Sequence, residues 1–218
     1  EIEVNSSGRI IREISKKPST KGKDINLSLD LELQKYLYQK LSKHKAGSIV
    51  VMEIKTGKVL SMVSIPTFNS NLIIKKPNVD YWNSLLKNSL SPLTDRSVQG
   101  LYSPGSTFKM VVAIAALKHK VISFNKKYFC EGKIEFGDRL FHCWKTKGHG
   151  QMNIDDAIKE SCDVFFYNLA IMIGIDKISE VAKDFGLGQI YPFAINNQKK
   201  GIIPSKQWKK NILKESWY

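Results

Sequence analysis

Arginine is scarce in this chain. Four of its 34 basic residues are Arg, against 20 acidic residues, so lysine carries most of the net charge of +14. A groove built to hold nucleic acid gathers its basic residues on one face beside a recognition motif. Here they are scattered and no such motif accompanies them, so no nucleic acid is expected as a partner. The charge reads instead as a compositional leaning towards lysine. Long apolar runs are missing too. A membrane-spanning helix needs about 20 apolar residues, and the longest candidate, Val164 to Ile175, is interrupted by Asn168 and Gly174 and reads as a core helix. Residues 1–14 lack the architecture of a signal peptide. The chain also opens in the middle of a pattern rather than with Met, as a piece of a longer protein would. Internal repeats are absent. What remains is 218 residues of ordinary globular composition, 42% hydrophobic, enough for a real core as one domain or a domain with an appendage.

Several elements are legible. Glu1 to Ile14 alternates loosely around a Ser-Ser-Gly turn, predicting a hairpin or an edge strand pair. Ser15 to Lys23 is a polar linker of turn formers. Ile25 to Leu29 alternates as a strand, and Asp30 then caps a helix reaching about Lys43, with Leu33, Leu37 and Leu41 on one stripe. "GSIVVMEI" and "KVLSMVSI" form a β-hairpin across Lys55-Thr56-Gly57. Pro66 to Asp95 reads as irregular, with a short helix near Tyr81 to Lys87. Tyr128 to Gly150 reads as a loop region, and helices are expected near Ile154–Glu160, Val164–Ile173 and Lys177–Phe185. Beyond Gly188 no periodicity is clear.

The segment "GLYSPGSTFKMVVAIAAL" carries the chemistry. It starts a helix whose first turn holds Ser106 and Lys109 on one face, just ahead of an apolar run that turns Lys109 inward. An inward ammonium is costly without a reason. One reason is that a serine hydroxyl needs a base within hydrogen-bond reach, and a lysine whose pKa is lowered by burial supplies one. The helix start adds N–H groups where an oxyanion can form. The bland alternative is a surface lysine beside a capping serine.

The surroundings decide between them. "PLTDRSVQGLYSPGSTFK" resembles the active-site approach of the penicillin-binding proteins, the serine D,D-transpeptidases of bacterial cell-wall synthesis. "SGRIIREI", "DINLSLDLELQKYL", "AGSIVVMEIKTGKVLSMVSIPTFNSN" and "GHGQMNIDDAIKESCDVFFYNLA" are similar to class B, elongation-type penicillin-binding protein 2. The resemblance implies an α+β, β-lactamase/D,D-peptidase-like transpeptidase fold, here its first sheet hairpin and helical lobe without the later strands. It implies that residues 1–20 end an N-terminal pedestal domain and linker, and that 21–218 form the N-terminal part of the transpeptidase domain.

The motifs carry over residue by residue. Ser106 is implied as the acylated nucleophile and Lys109 as its proton acceptor. Ser161-Cys162-Asp163 stands where the family usually has S-x-N, with Ser161 in the proton network and Asp163 in place of Asn, a replacement shared by elongation-type relatives. Positions two apart do not share a helix face, so the triplet is expected in a corner between two helices. An anion at Asp163 favours a charged Lys109. Lys55-Thr56-Gly57 spells the third motif, K-[ST]-G, but precedes the nucleophile and reads as a turn. Lys145-Thr146-Lys147 lacks the Gly. Turnover by this stretch alone is therefore not expected.

By the same implication the whole protein cross-links peptidoglycan stem peptides during elongation and sets cell shape. β-Lactam antibiotics inhibit it, a membrane-embedded glycan polymerase and rod-complex proteins accompany it, and it works at the periplasmic side of the bacterial inner membrane. A serine β-lactamase or β-lactam sensor is the alternative, and a non-catalytic interaction module a further one.

Cysteine is also scarce. The three, Cys130, Cys143 and Cys162, fall in one 33-residue stretch with His149 between them, in the spacing C-x12-C-x5-H-x12-C. A disulfide with one thiol left over, a Cys3His metal site and free thiols all remain open on spacing. The resemblance implies structural zinc, since elongation-type relatives carry Asp, His and Cys ligands at similar places. His142 is a rival ligand, while His44 and His119 read as solvated. Trp82 and Trp144 read as packing residues, with the lining of a peptide groove as the alternative.

Overall fold

The computed structural model describes residues 1–74, 78–192 and 195–217. Residues 75–77 of the stretch expected to be irregular, and 193, 194 and 218 of the tail, lie outside that description. The chain divides into two compact units, Glu1–Ser64 and Ile65–Tyr218.

In the first unit, strands β1 (Ile2–Val4) and β2 (Ile10–Glu13) pair antiparallel through Ile2↔Glu13 and Glu3↔Arg12. Asp30 accepts a hydrogen bond from the Leu33 amide and so caps helix α1 (Leu31–Leu41). Strands β3 (Gly47–Met52) and β4 (Val59–Ile65) form the expected hairpin. The strand expected over Ile25–Leu29 does not form. Ile25 and Leu27 are 81% and 72% exposed, so their alternation has no surface to pack on. The segment is instead tied to β4 by Ser28 Oγ donating to the Val59 carbonyl and by the Asp30 amide donating to that of Leu60. The amide side chain of Gln34 on α1 accepts from Ser61 Oγ (2.6 Å) and from the Met62 amide (2.9 Å), which satisfies the buried Ser61.

The second unit holds the larger core. Short helices α2 (Asn71–Ile74), α3 (Val79–Lys87) and α4 (Arg96–Gln99) lead to a 3-10 turn, Gly105–Phe108, that runs directly into helix α5 (Lys109–Lys118). Ala115 and Ala116 are fully buried on α5; their small side chains let later helices approach closely.

The region Tyr128–Gly150, expected to be loop, contains strands β5 (Tyr128–Cys130), β6 (Lys133–Phe136) and β7 (Arg139–His142), and is closed by β8 (Gly150–Met152). β6 and β7 form a hairpin nested inside the β5–β8 pair, whose register sets Cys130 opposite Gly150.

Three helices follow: α6 (Ile154–Lys159), capped by Asn153, then α7 (Asp163–Ile173) and α8 (Ile175–Asp184). Phe165 and Leu169 on α7 and Val181 on α8 join the α5 alanines in one core that also includes all three cysteines. Burying side chains of that size contributes about 1.5–3 kcal/mol each. His119 is not solvated as expected: its ring is four-fifths covered, and Nε2 lies 3.7 Å from Glu180 Oε2. The tail carries helix α9 (Lys206–Trp208) and a π-helical turn, Lys209–Leu213. Among the described residues, no helix is long and apolar enough to cross a membrane.

Candidate active site

Ser106 lies on the 3-10 turn and Lys109 is the first residue of α5, so the hydroxyl sits one turn ahead of the α-helix rather than inside it. In 3-10 geometry residues three apart eclipse one another, which stacks the two side chains more closely than an α-helix would. Ser106 is exposed, whereas the Lys109 side chain is 15% exposed. Its ammonium has three acceptors: the Ser161 carbonyl at 2.8 Å, Ser161 Oγ at 2.9 Å and Asp163 Oδ1 at 2.6 Å. Three donors meeting three acceptors is the arrangement of a charged lysine. The link to Ser106 runs through Ser161, whose Oγ donates to Ser106 Oγ at 3.0 Å.

Ser161 sits in the corner expected for it, and the corner has a specific construction. The Ser161 amide donates to the Ile158 carbonyl and the Cys162 amide to that of Ala157, the two reverse bonds of a Schellman helix ending. Its left-handed position is usually Gly, but here Ser161 holds it at φ +52°. A residue with a Cβ adopts that conformation at a cost of about 1–2 kcal/mol. This bend places the hydroxyl between Ser106 and Lys109 while Cys162 starts α7 and Asp163 occupies its first turn.

Directly behind this corner lie the three thiols and His149, their donor atoms all within 4.8 Å of one another. His149 Nδ1 is 3.6 Å from Cys130 Sγ and 3.5 Å from Cys143 Sγ. Ligands at zinc bond lengths of about 2.0–2.3 Å in a tetrahedron stand roughly 3.3–3.8 Å apart, so the set fits zinc. All three cysteines are free and buried, and none is bridged to another. His142 is exposed at the end of β7 and is not part of the cluster.

The thiols differ in character. Burial opposes ionisation of Cys143, but the amides of Lys145, Val164 and Asp163 point at its sulfur and, with Cys130, hold it below the ordinary thiol range. Two of those amides open α7, so the sulfur takes the place of a capping side chain at a positive helix end. Burial, with Cys130 and the charge of Cys143 adding to it against the Phe165 amide, pushes Cys162 up to about 12.

Trp144, read from the sequence as a packing residue, makes two polar contacts at this corner. The Trp144 backbone N–H donates to Asp163 Oδ2 at 3.0 Å, and its indole Nε1–H donates to the Glu160 carbonyl at 2.9 Å. A backbone amide acts whatever its side chain, so no residue pattern could have marked the contact to Asp163; only the indole contact depends on Trp. Trp82, by contrast, lines a cavity of about 310 Å³ with Ile73, Asn78 and Val79. Lys55-Thr56-Gly57 forms the turn of the β3–β4 hairpin in the first unit, as its turn chemistry requires.

Known proteins carry the same arrangement of chain. The peptidoglycan D,D-transpeptidase MrdA of Escherichia coli (strain K12) is 37% identical across all of this chain and 35% of its own length. That of Haemophilus influenzae is also 37% identical, over 34% of its length. The chain thus spans about a third of the length of these relatives. Among solved structures, Pseudomonas aeruginosa PBP2 in complex with WCK 5153 superimposes on 90% of this chain and 45% of its own, with a TM-score of 0.85 and 34% identity. Helicobacter pylori PBP2, in a complex with MreC, covers the whole chain and 41% of its own, with a TM-score of 0.86 and 30% identity. The transpeptidase domain of the penicillin-binding proteins matches residues 47–217, and the chain belongs to that family.

Proposed function

We propose that this chain is part of a serine D,D-transpeptidase that cross-links peptidoglycan stem peptides during cell elongation. The observation that carries the reading is the hydrogen-bonded set Ser106–Ser161–Lys109–Asp163, drawn from two separated segments onto one corner. Ser106 Oγ attacks the carbonyl of the penultimate D-Ala. The new C–O bond forms as the peptide C–N bond breaks, and the terminal D-Ala leaves as its amine takes up a proton. An amine from a neighbouring stem then displaces Ser106 and closes the cross-link.

The Ser106 proton passes through Ser161, whose hydroxyl donates to Ser106 at rest and must turn to accept from it before handing its own proton on. Lys109 in its charged form has nothing with which to accept it. It acts as a base once its own proton moves along the 2.6 Å contact to Asp163, and otherwise stabilises the developing alkoxide electrostatically. The first N–H groups of the 3-10 turn have no partner within it and are available to the oxyanion.

Cys130, Cys143, His149 and Cys162 would hold zinc. A four-ligand site of this kind is closed and structural, and it would fix the corner that presents Ser161 and Asp163. β-Lactams would acylate Ser106 as mimics of the D-Ala-D-Ala end. We place the site on the periplasmic side of the inner membrane, beside partners of the class found with Helicobacter pylori PBP2.

Intact mass spectrometry after incubation with a fluorescent penicillin and zinc tests the reading. The expected result is a covalent adduct that Ser106→Ala abolishes, on a chain retaining one zinc that Cys162→Ser loses. Rapid release of hydrolysed penicillin would mark a β-lactamase instead. A folded, zinc-bound chain that never acylates would leave a non-catalytic interaction module.

A further inference from the structure

Trp144 touches both halves of the corner at once. Its amide, adjoining Cys143, holds Asp163 Oδ2 while Asp163 Oδ1 faces Lys109, so the carboxylate is fixed from two sides. Its indole N–H holds the Glu160 carbonyl, immediately before the left-handed Ser161. The ring also packs edge-on to His149, with centroids 5.3 Å apart. Trp144 as a whole is 62% exposed, so burial does not by itself explain these contacts.

We propose that Trp144 is a positioning residue that transmits the order of the cysteine–histidine cluster to the proton-transfer groups. With the cluster ordered, Cys143 and His149 fix Trp144, Trp144 fixes Glu160 and Asp163, and these set the bend that aims Ser161 at Ser106. The inference rests on the acyl-transfer reading for its effect on rate, but the mechanical link stands on contacts alone.

Trp144→Phe keeps the backbone amide and the ring packing and removes the indole donor. Stopped-flow acylation of the zinc-loaded chain by a fluorescent penicillin separates initial binding from the acylation rate constant. We expect acylation to slow about five- to tenfold with binding changed by less than about twofold, the result of misplacing a reacting group rather than losing a contact surface. Hydrogen exchange should rise at residues 160–163 and stay unchanged in α5 and α8. In the parent chain, chelating zinc should raise exchange at the same four residues, and in Trp144→Phe it should add little.

Binding and acylation falling together would show that Trp144 lines the substrate groove, and the inference would fall. It falls equally if the rate stays within about twofold, or if exchange at 160–163 does not respond to the substitution. Should the parent chain fail to acylate at Ser106, the acyl-transfer reading fails separately, and the exchange measurements alone decide on the link.

Discussion

At the scale of single residues, the site trades stability for placement. Ser161 holds a conformation that glycine adopts freely, and it holds it in order to put one oxygen between Ser106 and Lys109. Ser161→Gly and Ser161→Ala delete the same hydroxyl, but only Gly relieves the backbone. Denaturant melts should therefore rank Gly above Ala by about 1 kcal/mol, while both variants lose most acylation. Equal stabilities would mean that the bend is unstrained. Asp163 poses a different question. Asp163→Asn keeps an acceptor for the Trp144 amide and removes the negative partner of a pair only 15% and 23% exposed. We expect a loss of about 1–2 kcal/mol. Acylation should fall about tenfold, since the amide still orients Lys109 but cannot take its proton and leaves only its electrostatic role, whereas Lys109→Ala should cost at least a hundredfold, roughly the lower end of general-base catalysis.

At the scale of elements, the long helices were readable from their apolar spacing: Leu33, Leu37 and Leu41 form a half-buried stripe on α1, and Phe165, Phe166 and Leu169 are buried on α7. Strands β5 to β8 were not. Each is three or four residues long, too short for alternation to register, and their pairing is closed by glycines that read equally well as loop. The Ser106–Lys109 and Ser161–Asp163 motifs were visible as residue types and the corner was expected, but the route from Ser106 to Lys109 through Ser161 depends on a left-handed Ser161 that no pattern announces. The glycines themselves are constrained. A Cβ on Gly148, at φ +77°, would lie 2.1 Å from the Cys130 carbonyl oxygen, and one on Gly132 would lie 2.1 Å from that of Thr146. Gly148→Ala must therefore push β5 away from the loop bearing Cys143 and His149. We expect a loss of at least about 2 kcal/mol, together with weaker zinc retention in native mass spectra. Retention equal to the parent's would show that the cluster does not depend on this close approach.

At the scale of the whole molecule, the cluster gathers the end of β5, the segment after β7, the segment before β8 and the start of α7 at a single point, in a unit whose core is otherwise drawn mainly from helices α5 to α8. If the cluster holds zinc as proposed, the metal at a thousand times its dissociation constant would add about 4 kcal/mol, and at this chain length that would raise Tm by roughly 8–16 °C. Its dependence on pH follows from the thiols. Without metal, Cys143 ionises more readily folded than unfolded, so its contribution grows as pH rises towards the ordinary thiol value of about 8.5 and is lost as pH falls. Cys162 behaves oppositely. Held protonated up to about 12, it costs nothing below the ordinary thiol value and removes stability as pH climbs from there towards 12, because only the unfolded chain ionises. The metal-free chain should be most stable near pH 8.5, by roughly the ordinary thiol pKa. Bound zinc would reverse the upper limb, since Cys162 would serve it as a thiolate and give up its proton, so that binding would strengthen with pH. Melting curves with and without a chelator should accordingly diverge between about pH 8 and 10. Titrations of zinc in buffers of different ionisation enthalpy should show proton release at pH 7.5, a condition chosen about one unit below the ordinary thiol pKa. Parallel curves and no proton release would mean that Cys162 is not a ligand, and that the Ser161 corner is held by α6 and α7 without help from a metal.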